Sequence, residues 1–378
     1  MQKYFSSVNP YYQYIRIYNM QKEILLAHFP KITVKRYQQL LAAFSSLEEV
    51  WEAEFDELLK TKIDEKIINE FLVWREKLDE EKIAKILAQE QITCVTLANE
   101  NYPKLLKEIY DPPFCLFVRG ELTQDDFTLA VVGPRKFSTY GKQVTENLVG
   151  DLARQSVTIV SGLAFGIDII AHKTTLQAGG KTVAVLGSGI NRRHVYPQEH
   201  SNVANEIIAS GGAVISEYPP GTLPNKFTFP RRNRIVAGMS LGTLVIEAAE
   251  KSGALITADY AMESGREVFA VPQNITSPTS FGPNNLIKNG AKLITTSQDI
   301  LEALDLQDIQ VYVKNKQILG DSPEEEAILA VLSQEPKHID EINKTCSLSN
   351  TQVSATLTIM EMKGKVRNLG NMMYVTRS

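Results

Sequence analysis

The chain has 378 residues, 43% of them hydrophobic and 22% charged, with a formal net charge of −4. It is too long for one small core and is composed like an ordinary globular protein, which excludes a disordered or fibrous chain. Three widely spaced cysteines give neither a disulfide framework nor a metal-ligand spacing, and the absence of an apolar run of about 18 residues argues against a membrane span.

The charge is uneven. Residues 128–304 carry 16 Lys and Arg against 13 Asp and Glu, so the centre is +3 and the flanks together are −7. A basic centre in an acidic chain points to an anionic ligand there. Residues 1–20 lack the continuous apolar segment of a secretory leader, so a cytoplasmic protein is expected.

In chain order, residues 21–28, 35–44, 47–59 and 65–87 repeat apolar side chains at three- and four-residue spacing, which predicts helices. Pro30, Ser45-Ser46 and Lys60-Thr61 separate them. We assign a helical module to residues 1–100, with helical character continuing toward residue 127 and Tyr102-Pro103 and Asp111-Pro112-Pro113 as connecting turns. From residue 128 the pattern changes to short β-branched runs at 128–133, 158–161, 182–186, 213–217, 243–247, 267–271 and 292–295. Helical patterns fall between them at 140–154, 166–178, 202–209, 254–263 and 285–288. Apolar strands alternating with helices predict an α/β domain over 101–304, a Rossmann-like, doubly wound, mostly parallel sheet. Residues 305–321 are polar and read as a linker. Pro323 then opens a helix with three glutamates in its first turn. Helices at 325–332, 339–345 and 350–363, followed by a hairpin around Gly370-Asn371, predict a winged-helix module over 322–378.

The first βα turn, Gly133-Pro134-Arg135, is not a dinucleotide fingerprint. Gly187-Ser188-Gly189 supplies two glycines, but Arg192 occupies the third position, so no nucleotide cofactor is expected. Arg135 directly follows a strand end, where a guanidinium can fork onto a phosphate. Gly187, Ser188 and Gly189 offer backbone N–H groups at a second strand end. Residues 226–234 read KFTFPRRNR. Lys226, Arg231, Arg232 and Arg234 interleaved with Phe227 and Phe229 suit single-stranded nucleic acid, charges meeting phosphates and rings meeting bases. Read as a short extended stretch, its side chains alternate, which places one of the two rings in the core. Asp168 fits a helix N-terminus, and His172 one turn later fits a packed helix position. No nucleophile-elbow, Walker-type or zinc-ligand pattern occurs. The last predicted helix has no Lys or Arg before Lys363, only the amides of Asn350 and Gln352, which favours protein contact or self-association over DNA reading.

With these motifs in view, the chain resembles the DNA-processing protein A (DprA, or Smf) family. The resemblance rests on AVVGPRKFSTYG at 130–141, SGLAFGIDIIAH at 161–172, GKTVAVLGSGI at 180–190 with Tyr196-Pro197 after it, and ISEYPPG at 215–221. FPRRNRIVAG at 229–238, EAAEKSGALITADYA at 247–261, GREVFAVP at 265–272 and FGPNNLIKNGA at 281–291 continue it in order. It implies a helical N-terminal module of the SAM or helix-hairpin-helix kind, an extended Rossmann fold that binds single-stranded DNA, and a winged helix. It also implies protection of incoming strands during natural transformation, help in loading the RecA recombinase, and no enzymatic activity. Carried over by position, it assigns phosphate contact to Arg135, the strand-end loop to Gly187, Ser188 and Gly189, and the pocket's cation and base-contacting ring to Lys226 and Phe229. It assigns a homodimer contact, with the RecA surface nearby, to Asn284, Ile287 and Leu293. Pro134 stands where the family has Ser or Thr. Gln273 stands where it has glycine, a source of strain if that backbone needs positive φ. Residues 29–33 lack the glycine of a helix-hairpin-helix turn, and residues 1–127 carry 16 basic and 21 acidic groups, so the helical module is not expected to grip DNA. Two other readings remain open: a nucleoside-phosphate hydrolase-like enzyme using Glu247, and a ligand-sensing transcription regulator that reads DNA through the winged helix.

Overall fold

The computed structural model of the chain describes residues 21–122, 127–306, 322–332, 337–346, 348–363, 365–368, 370 and 372–376. The chain forms two compact units, Met1–Asp305 and Leu306–Ser378. Residues 1–20, most of the stretch read as a linker, and Asn371 lie outside the described residues.

The first unit opens with six α-helices among the described residues: α1 (Lys22–Ala27), α2 (Val34–Ala43), α3 (Leu47–Glu52), α4 (Phe55–Leu58), α5 (Glu65–Glu76) and α6 (Glu80–Gln89). Thr33, Ser46, Asp64 and Asp79 cap four of them, each side chain accepting a backbone N–H of the first turn. A cap of this kind contributes about 1 kcal/mol. The buried faces gather Leu25, Leu40, Val50, Leu58 and Phe71 into a core that continues without a break into Phe117, Leu186 and Val214 of the sheet. Full burial of each such side chain contributes roughly 1.5–3 kcal/mol. The helices are therefore packed onto the sheet rather than set apart from it.

Helical structure does not run on toward residue 127. It is replaced after Gln89 by β1 (Thr93–Thr96), the single turn α7 (Lys104–Lys107) and β2 (Cys115–Gly120). Both strands are antiparallel additions to the sheet. Among the described residues that sheet has nine strands in the order β1-β2-β6-β5-β4-β3-β7-β8-β9. The remaining strands are β3 (Thr128–Val132), β4 (Thr158–Ser161), β5 (Thr182–Val185), β6 (Ala213–Ser216), β7 (Gly242–Val245), β8 (Glu267–Ala270) and β9 (Lys292–Leu293). From β6 to β9 every pairing is parallel. Strands β3 to β7 are buried along their whole length, as their near-continuous apolar sequences require of a sheet covered on both faces. Helices α8 (Thr139–Arg154), α9 (Ile167–Gln177), α10 (Ser201–Ala209), α11 (Thr228–Gly238), α12 (Gly253–Glu263), α13 (Phe281–Lys288) and α14 (Ser297–Ala303) connect and cover them.

The chain winds outward from β3 through β4 and β5 to β6, then returns through α11 to β7 on the other side of β3. The order thus reverses at β3 and β7, the point where open α/β sheets leave a crevice beyond their carboxyl ends.

The segment 226–234 is not extended. From Thr228 it is the first part of α11. Asn225 Oδ1 accepts the N–H groups of Phe227 and Thr228, and its own N–H donates to Thr228 Oγ1, which starts the helix. Pro230 falls in the first turn, where no intrahelical N–H is needed.

The second unit contains α15 (Pro323–Val331), β10 (Lys337–His338), α16 (Ile339–Thr345), α17 (Asn350–Met362), β11 (Val366–Asn368) and β12 (Met373–Thr376). The three strands pair antiparallel in the order β10-β12-β11, giving three helices and a small wing. Glu325, only 3% exposed, binds Lys363 Nζ at 2.7 Å and Lys365 Nζ at 2.6 Å, tying α15 to the approach of the wing. Gln352 closes a capping box with Ser349, so its amide oxygen is engaged at the start of α17.

Candidate nucleic-acid interface

The ends of β3 and β4 turn tightly against one another. Gly166 has φ +88, and a Cβ there would collide with the Pro134 carbonyl oxygen; a Cβ on Gly133 would strike Ile167. Ile167 N–H donates to the Pro134 carbonyl at 3.3 Å, which fastens the turn carrying Arg135 to the start of α9. Pro134 has no N–H to offer a ligand, and its carbonyl does the structural work.

Arg135 is exposed at the tip of that turn, its guanidinium carbon 5.7 Å from the centre of the Phe229 ring. Tyr196 meets the same ring at 5.5 Å with a 45° tilt. Arg135, Lys226, Phe229 and Tyr196 line one cavity of about 640 Å³ at the reversal of strand order, with Asp168 and Arg232 also in its wall. Neither ring of the basic segment is in the core. Phe229 is half-buried in the cavity wall, whereas Phe227 is 73% exposed, with Lys226 Nζ 5.1 Å from its ring centre. Alternation fails as a guide because the segment enters a helix.

The cations of this segment separate by environment. Arg232 is buried. Its Nη1 donates to the Gly162 carbonyl at 2.6 Å and to the Val185 carbonyl, joining the ends of β4 and β5. Asp168 accepts the Gly162 N–H at 3.1 Å. Burial pushes the Asp168 carboxyl up, while the Arg232 charge pulls it back. Burial likewise draws the Arg232 guanidinium down, opposed by Asp168. Arg234 is buried too, with Nη1 and Nη2 at 3.1 and 2.8 Å from the two Glu217 carboxylate oxygens and Nε 3.3 Å from Asp111 Oδ2. Burial works against its charge, but Glu217 and Asp111 outweigh burial and hold the guanidinium above its ordinary value. Arg232 and Arg234 therefore do not extend a basic surface; they fix the frame behind it. Arg231 is half-exposed, 3.7 Å from Glu217.

Gly187, Ser188 and Gly189 are buried and take no part in lining the cavity. Gly189 N–H donates to the Thr222 carbonyl at 2.9 Å, and Ser188 Oγ donates to the His194 carbonyl at 2.8 Å. A Cβ on Gly187 would lie 3.1 Å from the Phe229 ring. The loop is thus a seat beneath Phe229 and not an open anion cradle. Close packing against a ring accounts for small residues at this strand end as well as anion binding does, and the sequence does not separate the two.

His172 is buried, and burial together with the nearby Arg232 pushes its pKa down to about 3. The Thr182 hydroxyl donates to the Ile159 carbonyl and so accepts from His172 Nδ1–H at 2.7 Å. Glu247 is fully buried. It accepts from Ser138 N–H at 3.0 Å, the Ser138 hydroxyl and the Thr279 hydroxyl at 3.2 Å, an enclosure that leaves it no room to act on a substrate.

Near the β9 edge, Asn284 exchanges two hydrogen bonds with the Gln273 backbone, at 3.1 and 3.0 Å, and is half-buried. Gln273 is not at positive φ. The condition for strain is therefore not met, and its side-chain amide donates to the Ile246 carbonyl at 2.9 Å. Ile287 packs partly on the core, and Leu293 is 50% exposed on β9. Sequence reasoning assigns no site role to Tyr196 or Asn225. One borders the cavity by a ring contact from a distant loop; the other is a helix-starting amide, for which Asn two residues before a Phe-Thr pair is a weak signal.

The comparisons with known proteins agree with this architecture. The family model for DNA recombination-mediator protein A matches residues 93–305, and a DprA winged helix domain model matches residues 314–372. The DNA processing protein DprA of Bacillus subtilis is 42% identical over 234 residues, covering 61% of this chain and 78% of that protein. The crystal structure of DNA processing protein A from Streptococcus pneumoniae superposes with a TM-score of 0.62 at 34% identity, over 78% of this chain and 98% of that one. The Helicobacter pylori protein, solved for its single-stranded DNA binding mode, gives a TM-score of 0.51 at 31% identity, over 57% of this chain and 95% of that one. The match begins at the first residue of β1 and takes in every strand of the larger sheet, and on that footing the chain belongs to the DNA recombination-mediator protein A family.

Proposed function

We propose that this chain captures single-stranded DNA in the cavity at the carboxyl edge of its sheet and acts there as a recombination mediator. One observation carries the reading: Arg135, Tyr196, Lys226 and Phe229, drawn from the turn after β3, the loop after β5 and the start of α11, converge on a single crevice. Two cations and two rings at one site suit phosphates and unpaired bases, which a duplex would keep stacked away from the rings. Glu247 and His172 do not reach the strand, since both are fully buried and Glu247 is held by Ser138 and Thr279. A homodimer through the β9 edge, with Leu293 and Ile287 at its centre, and delivery of the bound strand to a RecA recombinase complete the proposal. Asn284 serves that edge indirectly by holding Gln273.

The test is a binding titration with single- and double-stranded DNA of equal length. Arg135→Ala and Lys226→Ala should each weaken single-strand binding across sequences. Each should also reduce the slope of log K against log salt by about 0.7 for every phosphate no longer neutralised. Unchanged affinity in both variants at low and moderate salt refutes the proposal. Leu293→Asp should shift the sedimenting species toward monomer if the β9 edge joins two copies.

A further inference from the structure

The segment from Asn225 to Arg231 serves two cavities. Lys226 and Phe229 border the one described above. Phe227, Thr228 and Arg231 border a second, of about 640 Å³, on the other side of the same segment, and Asn225 lines both. Its opposite wall comes from the helical part of the chain, Phe29 and Pro30, and its floor from Tyr218 and Pro219 after β6. Phe227 is 73% exposed, an unusual setting for a phenylalanine fixed at a helix start, where its N–H and that of Thr228 both donate to Asn225 Oδ1. A lysine ammonium lies 5.1 Å from its ring centre, and Arg231 brings a half-exposed guanidinium to the same groove.

We propose that this groove is a second nucleotide subsite, in which a strand leaving the first cavity stacks a base on Phe227 and sets a phosphate near Arg231. The inference rests on the single-strand reading above. Continuity selects the occupant: Asn225 lines both cavities, and a polymer seated on Lys226 and Phe229 has the exposed Phe227 ring, carried by the residue after Lys226, in the adjoining cavity. The helical part supplies an apolar wall and not the charge, consistent with its acidic balance.

The experiment compares wild type, Phe227→Ala and Phe229→Ala on oligothymidylates of about 4 to 16 nucleotides, the range such sites occupy. Phe229→Ala should weaken binding at every length. Phe227→Ala should leave the shortest oligomers unaffected and weaken the longer ones by about 5- to 150-fold, the loss of one stacked base. The Phe227 ring is exposed, so its removal leaves no cavity in the core and the variant should fold. Phe227→Trp gives a second readout, since the introduced indole should be quenched on adding the longer oligomers. Wild type is the control for the native Trp51 and Trp74. A Phe227→Ala length profile superimposable on wild type, or an indole unmoved by DNA, overturns the second subsite and leaves the first intact. Single-strand binding unchanged in both Phe229→Ala and Arg135→Ala overturns the single-strand reading beneath it.

Discussion

Arg234→Met removes a buried cation while keeping most of its volume. Glu217, 8% exposed, then has no bidentate partner, and the Asp111 carboxylate is left without its guanidinium. Breaking a buried ion pair from one side costs about 3–5 kcal/mol, because the surviving charge stays buried without compensation. Arg231 is still 3.7 Å from Glu217 and can take over part of the role. The destabilisation should therefore sit near the lower end, about 3 kcal/mol, which lowers the melting temperature by roughly 5 °C for a unit that runs from Met1 to Asp305. Both tryptophans of the chain, Trp51 and Trp74, lie in the same compact unit, so selectively excited tryptophan fluorescence follows its unfolding and not that of the other. The double variant Arg234→Met, Glu217→Leu should recover much of the stability, giving a coupling energy of one to a few kcal/mol. Affinity for the shortest oligomers, which engage the first cavity alone, should be unchanged per folded molecule, since Arg234, Arg231 and Glu217 are all outside that cavity. An unaltered melting transition, or a folded variant with weakened binding of those shortest oligomers, would show that the guanidinium acts at the surface and not as a buried anchor.

Three further outcomes are expected. His172 takes up a proton at about pH 6.5 in the unfolded chain but only near pH 3 in the fold, so stability should fall as pH drops through that window, by up to about 1.4 kcal/mol per pH unit. His172→Gln should flatten this slope in denaturant titrations between pH 7 and pH 4, and an unchanged slope would contradict the depressed value. Gly166→Ala places a Cβ against the Pro134 carbonyl at a positive-φ position; it should cost more than about 1 kcal/mol and weaken single-strand binding by displacing Arg135, both measurable on one preparation. Glu325→Gln should destabilise the C-terminal unit by about 1–3 kcal/mol, seen as faster amide exchange in α15 and α17 with no change in α9.

Strands β3 to β8 are legible in the sequence because their β-branched runs are buried on both faces and carry no competing pattern. β1 and β2 are not: TCVT and CLFVRG are short, flanked by helices and prolines, and owe their place in the sheet to β6, nearly a hundred residues later than β2. Helix α11 is obscured by KFTFPRRNR, which reads as a short extended stretch of cations and rings. Arg232 and Arg234 are buried only because Gly162, Val185 and Glu217 come to meet them from distant strands. Arg135 and Lys226 stand out in the sequence as cations at a turn and before a helix, and the fold leaves both exposed, with no carboxylate ion-paired to either among the described residues. The basic segment announces its chemistry but not its division into outward and inward charges, which depends on partners no local window contains.

One eleven-residue helix carries a ring of the crevice on its first turn and two buried guanidinium groups one turn later. The recognition surface cannot drift without tearing anchors that the folded state itself depends on. Its shape is settled when the polypeptide folds, so an arriving strand loses its own freedom but demands little reordering from the protein. Fast capture, with rates set more by diffusion and ionic strength than by rearrangement, is the kinetic signature such a rigid platform should leave.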